Sequence, residues 1–155
     1  MPAASEPGAV PDLPRTWRPF GPRIAGIVFA FVLVGAFAGL WISFPQQTKE
    51  DVGILQRATV VAFVGVGVLL LLALARSRIT ATTDGLVVVN GFRKRRYEWA
   101  EVIAVRMPPG APWPQLDLAD GTTVSALGIH GSDGARARTA VQELRAVLAA
   151  TDPQE

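Results

Sequence analysis

The sequence has no cysteine, and only one histidine and one tyrosine among its 155 residues. Without cysteine the chain cannot form a disulfide bond, a thiolate metal site or a thiol nucleophile. The single His130 has neither a cysteine partner nor a second histidine at metal-ligand spacing. Ser125 lacks the flanking glycines of a nucleophile elbow. We therefore predict that the protein is not an enzyme and holds no metal and no cofactor.

Charge is absent from two long stretches of the chain. Residues 24–44 form a run of 21 positions without a charged side chain, and a helix of ~1.5 Å rise per residue would there match the hydrocarbon core of a bilayer. Residues 58–75 hold eleven Val, Leu and Phe side chains, whose insertion is favourable by several kcal/mol. The sequence predicts two transmembrane helices. A cleaved signal peptide or two buried core helices are the competing interpretations.

The segments around these two runs differ in composition. Residues 1–23 are rich in proline and poor in apolar side chains, which predicts a disordered tail. Residues 45–57 join the two runs as an extracytoplasmic loop. Lysine and arginine collect on cytoplasmic flanks. Here most of them lie at the outer ends of both runs, whereas the connecting loop carries only Lys49 and Arg57. We predict a multi-pass protein of a bacterial cell membrane with both termini cytoplasmic; the outer flanking residues are Arg15, Arg18, Arg23, Arg76 and Arg78.

Glycines occur at close-packing spacing within both runs. Gly35 and Gly39 are four positions apart, and Gly65 and Gly67 could face them across the hairpin. Packing of the two helices within one chain is the leading interpretation. A homo-oligomer through the same glycines stays open as an alternative.

After Arg78 the pattern changes to short strand-like runs separated by turn dipeptides, which predicts a small β domain over residues 78–150. Turns are expected at Asp84-Gly85, Asn90-Gly91 and Asp120-Gly121. An amphipathic helix should begin near Ser132 or Asp133, whose side chain can cap it. Residues 151–155 should be disordered. The predicted strands are 79–83, 86–89, 92–99, 102–107, 115–119 and 122–127.

Several of these stretches resemble the bacterial pleckstrin-homology (PH) domains of actinobacterial membrane proteins, the group that includes low-molecular-weight antigen-type proteins. The matching residues are 83–88, 97–102, 116–121 and the helix with 140–148. The resemblance implies a membrane-anchored PH-like barrel with a C-terminal helix and without known enzymatic activity. A PH barrel has seven strands, whereas six are predicted here. No lipid-binding residues of eukaryotic PH domains have matching positions.

The basic hairpin, residues 90–96, is the main candidate site. Its proposed contact residues are Phe92, Arg93, Lys94, Arg95 and Arg96. A turn at Asn90-Gly91 would place Val89 opposite Phe92, with Val87, Lys94 and Arg96 on the same face. The other face would carry Leu86, Val88, Tyr97 and Trp99 together with Arg93 and Arg95, an imperfect alternation that suggests a bulge. An apolar tip flanked by cations and tethered near a bilayer suits contact with acidic headgroups, at ~1 kcal/mol for each basic side chain. The alternative is a solvated edge strand whose charges prevent strand pairing. One basic run without interleaved aromatic residues argues against nucleic acid.

Two tryptophans are secondary candidates. Trp113 lies between prolines and could contact the membrane or a partner peptide. Trp99 follows Tyr97 at strand spacing and is expected in the core.

The leading functional hypothesis is a non-catalytic adaptor at the inner leaflet that binds a protein partner or acidic headgroups. The alternative is a structural subunit of a larger membrane transport or envelope complex.

Overall fold

The computed structural model of the chain describes residues 10–151. Two long apolar helices precede most of a sheet domain that ends in a helix, as predicted. The helices are α1 (Phe20–Ser43), α2 (Gln46–Asp51), α3 (Ile54–Arg76) and α4 (Ala135–Thr151). The strands are β1 (Arg15–Trp17), β2 (Arg78–Thr82), β3 (Gly85–Asn90), β4 (Arg93–Glu98), β5 (Val102–Arg106), β6 (Gln115–Leu118) and β7 (Thr123–Ser125).

The sheet domain, which comprises β1 to β7 and α4, consists of two antiparallel sheets. One has the order β1-β2-β3-β4 and the other β5-β6-β7. Their facing side chains form one core, in which Ile79, Leu86 and Leu116 are fully buried. Helix α4 adds Leu144 and Val147 to this core, because its apolar residues recur at helical spacing along one face.

Helix α4 also joins the two sheets at their edges. On one side, Glu143 accepts hydrogen bonds from Arg15 and from the indole Nε1 of Trp17, the latter at 2.7 Å. On the other side, Arg145 Nε donates to the carbonyl of Val105 in β5 at 2.9 Å. The helix therefore closes the gap between strands β1 and β5.

The prediction of a disordered tail over residues 1–23 is wrong for residues 15–23, which contain strand β1 and the start of helix α1, and residues 1–9 lie outside the described part. Strand β1 pairs with β2 in the register Arg15↔Ala81 to Trp17↔Ile79. Trp17 is only 6% exposed and belongs to the core. The strand is three residues long, so its stability comes from contacts with distant segments that local composition does not report. It is the strand missing from the sequence-based count.

The domain boundaries shift accordingly. The sheet domain is not the continuous segment 78–150, since its first strand precedes both long helices. Helix α4 continues through Thr151, and residues 152–155 of the predicted C-terminal tail lie outside the described residues.

The two long helices are each apolar and long enough to cross a membrane. They begin earlier than predicted, at Phe20 and Ile54, and the connection contains the short helix α2 where the sequence predicted only a loop. The helices pack where Gly26 faces the Leu71 carbonyl and Gly67 faces Leu33. The predicted packing through Gly35, Gly39 and Gly65 is not present, because a Cβ at each of these positions would meet open space.

Polar contacts fix the helical hairpin to the sheet domain. Asp133 accepts hydrogen bonds from the backbone amides of Phe20 and Gly21, both at 2.8 Å. These amides belong to the first turn of α1, where free N–H groups favour a carboxylate. Asp133 was predicted to cap the C-terminal helix, but it lies in a short turn before α4 and caps α1 instead.

Candidate functional site: the basic hairpin

The basic hairpin is formed by β3 and β4, but its turn differs from the predicted one. Asn90 pairs with Arg93, so the two turn residues are Gly91 and Phe92 rather than Asn90 and Gly91. Gly91 has a φ of +63°, whereas no other residue type has positive φ within the described residues. Glycine at the first central position is what a type II′ hairpin turn requires. The sequence also fits this turn, and nothing local distinguishes it from the Asn-Gly alternative.

Because Asn90 lies outside the turn, its side chain is free to form hydrogen bonds with another strand. Its Nδ2 donates to the Ser125 carbonyl at 2.5 Å, and its Oδ1 accepts from the Leu127 amide at 3.0 Å. These bonds connect the end of β3 to the end of β7. The side chain holds the two sheets together beside the turn, a role that the turn-like dipeptide concealed.

The four cations of the hairpin divide between two faces of the sheet. Lys94 and Arg96 share one face with Val87 and Val89, as predicted, but they pair with Val89 and Val87 in a register that differs from the predicted one. Arg93 and Arg95 share the other face with Tyr97, Leu86 and Val88, whose side chains are buried in the core. The β3–β4 pairing is regular, so the suggested bulge is absent. Two arginines thus stand at the border of the core.

The turn of the hairpin lies against the end of the second long helix. The Gly91 amide donates to the buried hydroxyl of Ser77 at 3.1 Å, just after α3 ends. A Cβ at Gly91 would lie 3.4 Å from the Cβ of Ala73. Phe92 is 64% exposed, and the Arg76 guanidinium lies 6.0 Å from its ring centroid. An apolar tip and basic side chains are therefore held at the end of α3.

The hairpin cations have no acidic partners among the described residues. The ion pairs within residues 10–151 are Arg15 with Glu143 and Arg106 with Asp117. In the second pair, the hydrogen bond from Arg106 lowers the pKa of Asp117 below its ordinary value. The side chains of residues 93–96 are exposed and make no such contact within that range. Their charge is free to meet an external anion.

The remaining candidate aromatic residues lie elsewhere. Trp99 is partly buried against the core, as expected, and its Nε1 donates to the Thr82 carbonyl at 3.0 Å. Trp113 is half-buried beside the imidazole of His130, with ring centroids 6.3 Å apart. His130 Nδ1 accepts from the Ser132 amide at 3.2 Å. No hydrogen bond or ring pair joins Trp113 to the basic hairpin in the part of the chain described, and its role as a contact residue stays a prediction.

Sequence reasoning missed one member of the site, Tyr97. Its side chain follows Arg93 and Arg95 along the same face of β4, and its hydroxyl is buried without a hydrogen-bond partner among the described residues. The available signal was the alternation itself, since Arg93 and Arg95 were assigned to the apolar face and treated as an irregularity.

Comparisons with known proteins agree with this architecture. A family model described as "Bacterial PH domain" matches residues 76–147. Uncharacterized proteins of Mycobacterium tuberculosis and Mycobacterium bovis are 35% identical to the chain over 103 residues, which cover 64% of this chain and 67% of each relative. No solved structure matches the chain. Strand β1 lies outside the family match, although it completes a seven-stranded domain with a C-terminal helix. The chain belongs to the bacterial PH domain family.

Proposed function

We propose that the protein is a membrane-anchored, non-catalytic interaction module whose basic hairpin contacts acidic lipid headgroups at the cytoplasmic leaflet. The observation that best supports this proposal is the contact between the turn of the basic hairpin and the end of α3. If α1 and α3 span a bilayer, Phe92 and the adjoining cations lie at the level where α3 leaves it.

Both helix ends that meet the sheet domain support the cytoplasmic orientation. Asp133 binds the first turn of α1, and Ser77 connects the end of α3 to the hairpin. The sheet domain therefore lies on one side of the helical pair, together with most of the flanking arginines.

The absence of cysteine permits a direct test of orientation. We expect a cysteine introduced by Thr48→Cys, in α2, to react with a membrane-impermeant maleimide in intact cells. A cysteine introduced by Thr83→Cys, in the exposed β2–β3 turn, should react only after lysis. The reverse pattern would contradict the proposed orientation.

Headgroup contact can be measured at the tip of the hairpin in the full-length protein. An environment-sensitive dye on Phe92→Cys should emit at shorter wavelength in nanodiscs containing phosphatidylglycerol than in phosphatidylcholine alone. Each cation near an anionic surface contributes ~1 kcal/mol, and salt screens this attraction. Changing residues 93–96 to glutamine should therefore abolish the lipid-dependent shift, as should high salt.

Two controls separate headgroup contact from other causes. The same dye at Thr83→Cys, at the opposite end of β3, should show no dependence on lipid charge. Arg138→Gln in α4 removes one exposed charge far along the chain from the hairpin and should leave the shift at residue 92 unchanged. Emission at residue 92 that is the same in both lipids and at high salt would contradict headgroup contact.

A second candidate function is a structural subunit of a larger membrane complex. It is favoured by an apolar groove of about 620 Å³ between α1 and α3, beside the α2 connection, lined in part by Phe37, Trp41 and Val60. A partner helix could occupy this groove. Gentle detergent extraction followed by sizing distinguishes the two, since the interaction module alone should elute as a monomer or small oligomer.

A further inference from the structure

A surface groove, here named the α4 groove, runs between helix α4 and the loop that follows β5. Its volume is about 640 Å³, and apolar side chains of Met107, Ala137 and Val141 form its floor. One wall consists of residues 108–112, and the other wall is α4. None of residues 90–96, which the structure describes in full, lines the groove. The α4 groove is therefore distinct from the basic hairpin.

The proline-rich wall of the groove is held in one conformation. The Ala111 amide donates to the Pro108 carbonyl at 3.0 Å, and Gly110 between them has a φ of +80°, as is typical of a type II turn. The Gly131 amide donates to the Pro112 carbonyl at 2.7 Å and so ties this wall to the segment before α4. The groove is thus formed before a partner binds, and a preformed site loses less conformational entropy on binding.

The groove carries positive charge that is not neutralised from within. Arg138 and Arg145 line it from α4, and no carboxylate belongs to the described residues that line it. Neither arginine forms an ion pair within residues 10–151. The acidic side chains that flank Arg138 in sequence are engaged elsewhere, because Asp133 binds the first turn of α1 and Glu143 binds Arg15. The groove is therefore suited to an anionic partner.

The two arginines also differ in how they are placed. Arg145 Nε donates to the Val105 carbonyl at 2.9 Å, which holds the guanidinium beside the end of β5 and leaves its terminal nitrogens as donors. Arg138 lies in the first turn of α4, where the helix dipole favours a negative group over a cation. Its charge therefore does not stabilise α4, and an external carboxylate would offset the unfavourable interaction.

The length of the groove matches a short extended peptide. Its α4 wall runs from Gly134 to Arg145, which is about 16 Å at ~1.5 Å per residue. An extended chain covers this length with about five residues. Alternate side chains of such a chain point to opposite sides, so acidic residues can face the arginines while apolar residues reach the floor.

We propose that the α4 groove binds an extended acidic segment of a partner protein, with carboxylates at Arg138 and Arg145 and an apolar side chain against Met107. A single lipid phosphate fits less well, because the two arginines are attached about 10 Å apart along the helix. This interaction goes beyond the headgroup contact of the basic hairpin and does not depend on it.

Met107 provides a probe within the groove, because the only other methionine is Met1. Full-length protein with ¹³C-methyl methionine is studied in phosphatidylcholine nanodiscs, and the Met107 signal is identified by its loss in Met107→Leu. The acetylated peptide Glu-Leu-Glu-Leu-Glu should shift this signal until it saturates. Gln-Leu-Gln-Leu-Gln should bind about tenfold more weakly, since each lost ion pair accounts for a factor of about two to five.

Paired variants test the role of the arginines. Arg138→Gln combined with Arg145→Gln should weaken binding of the acidic peptide about tenfold. The matched control combines Arg136→Gln, whose guanidinium lies 4.4 Å from the Phe20 ring centroid, with Arg96→Gln in the basic hairpin. This control removes the same charge outside the groove and should weaken binding less than about twofold, given screening by salt.

Arg138→Gln alone keeps the test available if loss of the Arg145 bond to Val105 destabilises the sheet domain. It should weaken peptide binding about two- to fivefold, and Arg138→Lys, which retains the charge, should restore most of the affinity. Equal losses in the groove variants and the control, or no saturable shift of the Met107 signal, would overturn the proposal.

Lipid is tested as the occupant in the same preparation. Replacing phosphatidylcholine by phosphatidylglycerol without peptide should leave the Met107 signal unchanged. A shift that Arg138→Gln abolishes would assign the groove to lipid headgroups and overturn the peptide site. The dye at residue 92 reports hairpin contact independently and should not respond to Arg138→Gln, so failure of the α4 groove and failure of headgroup contact are distinguishable.

Discussion

The helical hairpin and the sheet domain use the same apolar residue types in opposite ways. Leu144 of α4 is fully buried, whereas Leu70 of α3 is 65% exposed. Large exposed apolar side chains extend over both long helices, but Phe92 and Ile103 are the large exposed ones among residues 78–151. The sheet domain therefore buries its apolar surface within itself. The helical hairpin of α1 and α3 instead requires an apolar environment to cover its exposed apolar side chains.

The boundary between these regions is polar and specific. Asp133 binds the start of α1, and Ser77 binds the hairpin turn after α3. Strand β1 also ties the first helix to the sheet domain, because only two residues separate Trp17 from Phe20. Two regions with different solvent requirements are thus joined at both helix ends. This arrangement favours a fixed orientation of the sheet domain relative to the helices.

Removing one tryptophan from each region should give the largest contrast. Trp17 is 6% exposed and Trp41 of α1 is 38% exposed. Trp17→Ala should lower the free energy of unfolding of the sheet domain by about 3–5 kcal/mol, since a buried aromatic side chain and a strand contact are lost. Trp41→Ala should change it by less than about 0.5 kcal/mol. Hydrogen exchange of the β2 and β3 amides measures both effects in detergent.

Trp17→Phe is a milder variant that can be measured if Trp17→Ala does not fold. Trp17→Phe keeps most of the packing but removes the hydrogen bond from Nε1 to Glu143, and it should cost about 1–3 kcal/mol. Unaltered exchange in both Trp17 variants would show that β1 is not part of the sheet domain in solution.

Removing the cap between the regions should have a smaller effect. Asp133→Ala deletes the acceptor for the Phe20 and Gly21 amides, and loss of such a cap costs about 0.5–2 kcal/mol. Those two amides should exchange about tenfold faster, whereas exchange in the β6 strand should change little.

Asp84→Ala provides the control for this cap, because Asp84 lies in the exposed β2–β3 turn, away from α1. Slow exchange of Phe20 and Gly21 in the Asp133 variant would contradict the polar junction.

Sequence reasoning succeeded where one local pattern decides the structure. The long uncharged runs identified α1 and α3, and the alternation around Leu86 and Tyr97 identified a hairpin with the correct faces. The turn itself was misplaced by one residue, because Asn90-Gly91 and Gly91-Phe92 both satisfy the rules for tight turns. The faces survived this error because the pairing register changed by an even number of positions.

The missed features all depend on residues far apart in the chain. Strand β1 forms because Trp17 reaches Ile79 and Glu143. The cap on α1 depends on Asp133, more than a hundred positions away. The contact between the ends of β3 and β7 depends on Asn90, which bonds to Ser125 and Leu127. No local propensity contains these distances, so they could not be read from composition or periodicity.

The smallest expected effect concerns an ion pair on the outer surface of the sheet domain. This surface carries titratable groups, whereas residues 24–43 of α1 carry none. Arg106 lies 2.5 Å from Asp117 and lowers the pKa of that carboxyl below its ordinary value of 3.8. A lowered folded-state pKa stabilises the fold above the unfolded value, and this contribution is lost as pH falls through the folded value. Arg106→Gln should therefore raise the Asp117 midpoint in a carboxyl ¹³C titration, whereas Arg138→Gln should not. The stability difference between Arg106→Gln and the unmodified protein should shrink as pH falls below about 3.8. A difference that persists undiminished at lower pH would assign the effect of Arg106 to packing instead of charge.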